Sequence, residues 1–267
     1  MASEQTVARN QGRPGRDFVS VVVATGAGRR AFLRQLLRCW ESQSLDSGAR
    51  ELVVVDDCPD GEGARICAGR TGVRHVALAA PTILGDKLNV GCAAARGDVL
   101  AKWDDDDWYG PGFLEIALAA LRLRPAGRGL VLWGEYLVLL ASDGTLHTTG
   151  PGHKAGNTLT FDRALWAERP FRPVPRGVDS AFLEDHPDWG AVDAPDSVVV
   201  VRHGANTWTE FRGIEVDPYV ADHLELWHTP LVDVVGSDAA AFYAGLAARP
   251  TGQSSQGHPD QQERARP

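Results

Sequence analysis

Short apolar segments rich in β-branched residues alternate with helical patterns in the first half of the chain, and this alternation constrains the fold most strongly. The runs Phe18–Ala24, Glu51–Val55 and Val99–Trp103 are nearly continuous, which is typical of strands covered on both faces. Between the first two, Arg29–Ser42 carries apolar residues at helical spacing. A further strand is predicted at Val73–Leu78, and further helices at Lys87–Arg96 and Gly112–Arg124. The alternation predicts an α/β fold with a mixed, mostly parallel sheet and helices on both faces.

After residue 129 the pattern changes from alternation to strands joined by short turns. Leu130–Ala141 and Thr145–Thr149 flank Asp143-Gly144, which predicts a hairpin that extends the same sheet. Further predicted elements are strands at Asn157–Phe161 and Ser197–Val201 and helices at Val178–His186, Pro218–Trp227 and Asp238–Ala248. We expect one domain over residues 18–249, in two halves at 18–128 and 129–249. Tails at residues 1–17 and 250–267 are poor in large apolar groups and are predicted to be disordered.

Composition excludes several classes of protein. The formal net charge of −8 over 267 residues argues against a general nucleic-acid binder, which needs a basic face. No apolar stretch approaches the roughly 18 residues that span a bilayer, and the N-terminus lacks the apolar core of a secretory signal. The four cysteines form no C-x-x-C pair, which predicts buried free thiols and a cytoplasmic protein.

Two acidic clusters follow predicted strands: Asp56-Asp57 after one, and Asp104-Asp105-Asp106-Asp107 after another. Ligand sites in such sheets lie beyond the carboxyl ends of the strands, so we expect both clusters to meet at one rim. Carboxylates of this kind suit Mg²⁺ or Mn²⁺ bound jointly with phosphate groups. The alternatives are a solvated loop capping the helix near Pro111, and a simple turn at Cys58–Gly61.

The segments VSVVVAT, ELVVVDD, KLNVGCAAARGDVLAKWDDDDWYGPGFLE and GVDSAFLED, in that order, resemble the family 2 glycosyltransferases of GT-A fold. The resemblance covers about residues 18–212. It implies an inverting enzyme that uses a nucleotide-diphosphate sugar, preferably uridine-linked, and a divalent cation, Mg²⁺ or Mn²⁺. The acceptor and the oligomeric state stay open.

The resemblance also implies roles for individual residues. Thr25, Asp56, Asp57 and Lys87 match positions that bind the nucleotide sugar, although the proline and the aromatic residue that accompany this threonine in the family are missing here. In the four-aspartate run, Asp104 or Asp105 would contact the ribose. The metal ligands would be Asp106 and Asp104, joined by His203; a histidine after a strand is otherwise a structural residue.

Inverting transfer needs a carboxylate that takes the proton of the acceptor. The segment Gly177–Phe182 resembles the family segment that carries this base, which makes Asp179 the first candidate. The pair Glu184-Asp185 is the second. Alternatively, Asp179 caps a helix and the pair is solvated.

Two rival functions remain at this stage. The segment Thr25–Arg30 weakly resembles the Gly-rich, arginine-containing loop that follows the first strand of sugar-phosphate nucleotidyltransferases. A catalytically degenerate domain that only binds nucleotide sugars is the other alternative.

Overall fold

The computed structural model describes residues 18–174, 176–203, 206 and 224–247. Two β-sheets and flanking helices make up this part of the chain. The strands are β1 Val19–Thr25, β2 Arg50–Asp56, β3 Val73–Ala77, β4 Val99–Asp104, β5 Trp108–Tyr109, β6 Leu130–Trp133, β7 Leu137–Leu140, β8 Thr145–Thr148, β9 Thr160–Asp162, β10 Gly190–Val192, β11 Val198–Arg202 and β12 Glu225–Leu226. The helices are α1 Arg30–Glu41, α2 Glu62–Cys67, α3 Leu84–Ala94, α4 Phe113–Arg122, α5 Arg163–Glu168, α6 Val178–Asp185, α7 Leu231–Val235 and α8 Ser237–Ala247. Short 3₁₀ turns lie at Ser47–Ala49, Gly156–Thr158 and Pro195–Ser197.

The larger sheet has seven strands in the order β10-β6-β9-β4-β1-β2-β3. Strands β4, β1, β2 and β3 are parallel, whereas β9 runs antiparallel to both of its neighbours. In register, Thr25 at the end of β1 lies opposite Asp56 of β2, and the preceding Ala24 lies opposite Asp104 of β4. Three neighbouring strands therefore end at one edge, and each delivers a polar side chain there.

Helices cover both faces of the large sheet. One apolar cluster holds Val21 and Val23 of β1 against α1 and α4, and the other holds Val22 against α3 and α6. This alternation of neighbouring residues between two cores is what a strand buried on both faces requires. The mixed α/β architecture with a mostly parallel central sheet is confirmed.

A second sheet was not predicted. It has five strands in the order β12-β8-β7-β11-β5. The segment Leu130–Ala141, expected as one hairpin arm, splits into β6 in the large sheet and β7 in the small one. The break follows Gly134, where an added Cβ would lie 3.0 Å from the side chain of Ala191. The chain leaves one sheet and joins the other between Trp133 and Leu137, a change that period-2 patterning alone does not reveal.

Smaller differences concern helices. Helices α2 and α5 were not predicted, since neither exceeds two turns. The C-terminal end of the helix predicted at Pro218–Trp227 is wrong, because Glu225 and Leu226 pair with β8; residues 218–223 lie outside the described part, as do both predicted tails. All four cysteines are free, and Cys39, Cys67 and Cys92 are buried. Among the described helices, none has the length and apolar character needed to cross a bilayer.

Candidate functional site

The four-aspartate turn is fixed by the aromatic residues around it. Trp103 before the turn stacks on Tyr109 after it, with ring centroids 4.1 Å apart. The Tyr109 hydroxyl accepts a hydrogen bond from the Asp104 backbone N–H at 2.8 Å and donates to the Asn157 carbonyl. The stacked rings and the Tyr109 hydrogen bonds therefore fix the backbone of the turn. The four carboxylates that follow contact different partners.

Asp56, at the end of β2, is buried and fully engaged inside the fold. It accepts hydrogen bonds from Arg30 at 2.8 Å and from the Cys58 backbone N–H at 3.0 Å, and His75 Nε2 lies 3.2 Å away. Burial opposes the charge on this carboxyl, but these donors outweigh it and lower its pKa. The contacts of Asp56 are those of a residue that holds the strand end in place.

Asp57 is half-buried and lies over the end of β1. Its Oδ2 is 2.6 Å from Lys87 Nζ and accepts the Thr82 backbone N–H at 3.0 Å. Lys87 also donates to the Thr25 carbonyl at 3.0 Å. A Cβ added at Gly26 would lie 2.6 Å from Asp57 Oδ1, so only glycine leaves this carboxylate room beside the backbone.

Thr25 connects this carboxylate with the four-aspartate turn. Its hydroxyl donates to Asp105 Oδ2 at 2.7 Å, while its carbonyl accepts from Lys87. Asp57 and Asp105 therefore lie on either side of one residue of β1. The two acidic clusters meet at one rim, as the strand-end argument predicted.

The buried pair Asp105 and Asp106 shares one guanidinium. Arg29 donates to Asp105 Oδ1 and, at 2.6 Å, to Asp106 Oδ2. His203 Nε2 lies 3.0 Å from the same Asp106 oxygen, and Asn206 donates to it at 3.2 Å. These five residues are called the Arg29 cluster below. Burial raises the pKa of Asp105 above its usual value, whereas the hydrogen bonds from His203 and Arg29 overcome burial and lower that of Asp106 to about 2.

The last aspartate of the run is structural. Asp107 is buried, accepts a hydrogen bond from Asn157 at 2.8 Å and accepts the Val201 backbone N–H, also at 2.8 Å. It thereby ties β11 of the small sheet to the turn. Burial raises its pKa well above the ordinary value.

A second ion cluster joins the first aspartate to the candidate base. Lys102 Nζ lies 2.9 Å from Asp104 Oδ1 and 2.9 Å from Asp179 Oδ2. These three residues are called the Lys102 cluster. Asp179 belongs to the first turn of α6, and its Oδ1 is buried with no hydrogen-bond partner among the described residues. Burial raises the pKa of Asp179, and Lys102 opposes that shift.

Glu184 and Asp185 are not brought to this rim. They lie at the other end of α6, where Arg172 pairs with both: it is 3.1 Å from Glu184 and donates to Asp185 Oδ2 at 2.7 Å. Asn89 is also engaged elsewhere, since its amide bonds the backbone of Phe171 and the Trp166 indole. The second candidate base is therefore remote from the contacts that hold the first.

Among the residues described here, no three histidine, cysteine, aspartate or glutamate side chains are arranged as a metal-binding group. Two of the three predicted ligands, Asp106 and His203, lie 3.0 Å apart, and their oxygen and nitrogen donors suit Mg²⁺ or Mn²⁺. The third, Asp104, is paired with Lys102. Arg29 bonds the Asp106 oxygen that a cation would use, so a cation bound there displaces or shares that contact.

Sequence reasoning did not single out Arg29, Lys102, Asn157 or Asn206. Lys102 carried a usable signal, because it is a lone charge within the apolar run Val99–Trp103. Arg29 was read only as part of a Gly-rich segment, and the two asparagines carry no local pattern.

A family model matches the first half of the chain. Residues 20–127, which contain both acidic clusters, match the model of Glycosyl transferase family 2. This segment is similar to the family 2 glycosyltransferases. No curated protein sequence gives a significant match to the chain.

Solved structures are similar in fold to this chain over a longer stretch than the matched segment. S. aureus TarS 1-349 in complex with UDP-GlcNAc is 16% identical, with a TM-score of 0.54, over 73% of this chain and 61% of that one. The mannosyltransferase PcManGT from Pyrobaculum calidifontis, in complex with GDP-Man and Mn²⁺, is also 16% identical with a TM-score of 0.54, over 88% of this chain and 75% of that one. The chain spans about three fifths of the length of the TarS fragment. The shared fold is GT-A.

Proposed function

We propose that the protein transfers a sugar from a nucleotide-diphosphate sugar to an acceptor nucleophile with inversion at the anomeric carbon. The observation that carries the proposal is the continuous polar array from Asp57 through Thr25 and Asp105 to Asp106 at the ends of three neighbouring strands. It is supported by the family 2 match and by the nucleotide sugars named with the two similar structures.

On the donor side, Thr25, Asp57 and Lys87 would bind the nucleotide, and Asp104 or Asp105 the ribose. Asp57 has one oxygen, Oδ1, that accepts no hydrogen bond from the described residues, so it is the better acceptor for a base N–H than Asp56, whose oxygens are engaged. Because Asp57 has an oxygen available to accept a hydrogen bond, it suits the imide N–H of a uracil-type base. We expect residues 18–128 to bind the donor and residues 129–249 to bind the acceptor.

A divalent cation, Mg²⁺ or Mn²⁺, would be held by Asp106 and His203, with Asp104 as a further ligand once it leaves Lys102. Bound there, such a cation stabilises the negative charge of the departing diphosphate. Arg29 already neutralises part of the charge at this place, because it bonds both Asp105 and Asp106. Arg29 therefore reduces the repulsion between these carboxylates when no cation or donor is bound.

On the acceptor side, Asp179 would act as general base. Inverting transfer is a single displacement, in which the acceptor oxygen attacks as the glycosidic bond to the diphosphate breaks, and the acceptor proton passes to a carboxylate. The pKa of Asp179 is raised by burial, which makes it a stronger base than an exposed aspartate, and its Oδ1 is unbonded. The raised pKa is the property that suits this carboxylate to accept a proton.

The experiment is a donor panel of UDP-GlcNAc, UDP-glucose and GDP-mannose, with binding measured by calorimetry and slow donor hydrolysis by nucleotide release. We expect one donor to bind with Mn²⁺ or Mg²⁺ and less well in EDTA. Asp106→Ala should lose metal-dependent binding, whereas Asp179→Ala should keep binding and lose turnover. Binding without any turnover by the unaltered protein would favour a binding domain, and pyrophosphate release from nucleoside triphosphate plus sugar phosphate would favour nucleotidyl transfer. Either result contradicts the proposal.

A further inference from the structure

Lys102 is a charged residue in the middle of a central strand. Its strand, β4, is paired on one side with β1 and on the other with β9. Leu100, two residues earlier, packs in the apolar cluster formed with α3 and α6, so Lys102 points toward the same side of the sheet. Its side chain is 2% exposed. An ammonium group buried this deeply is unfavourable unless it is paired, so its partners explain its presence.

Every proton of the Lys102 ammonium has an acceptor. Nζ lies 2.9 Å from Asp104 Oδ1 and 2.9 Å from Asp179 Oδ2, and it donates to the Gly156 carbonyl at 3.4 Å. Three oxygen atoms therefore surround the Lys102 ammonium, two of them from carboxylates. Its position therefore depends on all three elements at once: the strand, the 3₁₀ turn at Gly156 and helix α6.

Asp179 is confined from the other side by Gly156. A Cβ added at Gly156 would lie 2.6 Å from both Cβ and Oδ2 of Asp179. The carboxylate is thus held between the Gly156 backbone and the Lys102 ammonium through one oxygen. Its second oxygen, Oδ1, is buried and accepts nothing from the described residues. One fixed oxygen and one unbonded oxygen give the carboxylate a defined direction.

The charges around Asp179 oppose one another. Burial raises the pKa of Asp179, Lys102 lowers it and Asp104 raises it again. For Lys102, burial alone would lower the pKa, but the two carboxylates outweigh burial and raise it. These are the charged groups that face Asp179 from β4, and Lys102 is the one that favours its ionised form.

We propose that Lys102 is a positioning residue for sugar transfer: it holds Asp179 through Oδ2 and so fixes this carboxylate between the Lys102 ammonium and the Gly156 backbone. The inference rests on the proposed function and adds a residue to it. Lys102 touches neither substrate nor product in this scheme, so its effect is transmitted through Asp179.

The test compares Lys102→Met with Lys102→Arg. Aspartate labelled with ¹³C at Cγ reports each carboxyl by NMR, and the resonance missing in Asp179→Asn assigns Asp179. An opposite charge at this distance lowers a carboxyl pKa by about 1–3 units, so Lys102→Met should move the Asp179 titration upward by about that amount, and Lys102→Arg by less. The acid limb of kcat for donor hydrolysis should move equally, with KM for the donor little changed.

Leu100→Met is the matched control, because it alters the same strand face without touching Asp179, and it should leave both titrations in place. Should Lys102→Met fail to fold, Gly156→Ala replaces it: the added Cβ displaces Asp179 from Lys102 and should shift the acid limb in the same direction. An unmoved Asp179 titration in folded Lys102→Met, or in Gly156→Ala, overturns the inference. Loss of the proposed function has a different signature, namely no donor turnover by the unaltered protein, and the NMR titration still decides whether Lys102 holds Asp179 ionised.

Discussion

The Arg29 cluster contains Asp105 and Asp106 of the four-aspartate turn, and the Lys102 cluster contains Asp104. The two clusters differ in how their carboxylates are bound. In the Arg29 cluster one Asp106 oxygen receives three contacts, from Arg29, His203 and Asn206. In the Lys102 cluster one ammonium serves two carboxylates, and Asp179 Oδ1 receives none. In the first cluster several donors converge on one carboxylate oxygen, whereas in the second one donor serves two carboxylates and one Asp179 oxygen has no hydrogen-bond partner among the described residues.

The contrast between the two clusters shows how adjacent carboxylates in one turn can take different roles. Four consecutive carboxylates repel one another, and each is stable here because the fold supplies it with its own partner. Arg29 supplies one positive charge to two buried carboxylates, Asp105 and Asp106. A partner that holds only one oxygen of Asp179 leaves the other for chemistry. The predictions below test this contrast.

The largest effect is expected for Asp179→Asn. The amide cannot accept the acceptor proton, so turnover should fall by about 10²–10⁴-fold, the usual contribution of a general base. Donor affinity should change little, since Asp179 lies on the acceptor side. The measurement is kcat for donor hydrolysis beside calorimetric donor affinity. Ser180→Ala, on the exposed face of the same helix turn, is the control; equal losses in both variants would refute a special role for Asp179.

Arg29→Met should reduce stability rather than chemistry alone. Removing the guanidinium leaves the buried Asp105 and Asp106 without their main counter-charge, and breaking such a pair lowers the free energy of unfolding by about 3 kcal/mol. Urea unfolding followed by circular dichroism measures it. Arg34→Met is the control, because Arg34 lies in the helix that begins directly after Arg29, is exposed, and among the described residues pairs with exposed Glu62. Indistinguishable unfolding midpoints would show that the Arg29 cluster does not hold the rim together.

A smaller effect is expected for Asp57→Asn. The amide loses a charged acceptor for the nucleotide base, and hydrogen bonds to charged groups contribute about 1.5 kcal/mol, so donor affinity should weaken by roughly tenfold. Calorimetry with UDP provides the measurement. Asp60→Asn, in the same loop but paired outward with Arg30, should bind UDP as the unaltered protein does. A UDP affinity unchanged in Asp57→Asn would remove this residue from the donor site.

Much of the large sheet and of the acidic rim could be predicted from the sequence. The strands around Val22, Val53 and Leu100 are apolar on both faces, and the aspartates at their ends mark the carboxyl edge that parallel topology brings together. The second sheet could not be predicted, because β6 and β7 join different sheets through tertiary packing, which the alternation of apolar residues does not record.

The roles of individual carboxylates were equally hidden. The four adjacent aspartates contact different residues, because their side chains point in different directions after the strand ends. The contacts are Asp104 with Lys102, Asp105 with Arg29, Asp106 with His203 and Asp107 with Asn157. Lys102 and Asp179 are 77 residues apart in the chain, so their contact depends on the tertiary fold. The sequence predicted that these aspartates lie at the carboxyl edge of the large sheet. Tertiary packing determines which carboxylate oxygen accepts a hydrogen bond and from which residue.

The smallest effect is expected at the outer end of α6. Asp185→Asn removes a carboxylate that Arg172 holds at the protein surface, and such surface changes shift activity by no more than about twofold. The same is expected for Glu184→Gln, whose carboxylate pairs with the same arginine. Turnover of the donor identified by the panel is the measurement, with Asp179→Asn assayed beside them. A loss in either variant as large as that of Asp179→Asn would transfer the role of base to this pair, and the unbonded oxygen in the Lys102 cluster would then have no catalytic meaning.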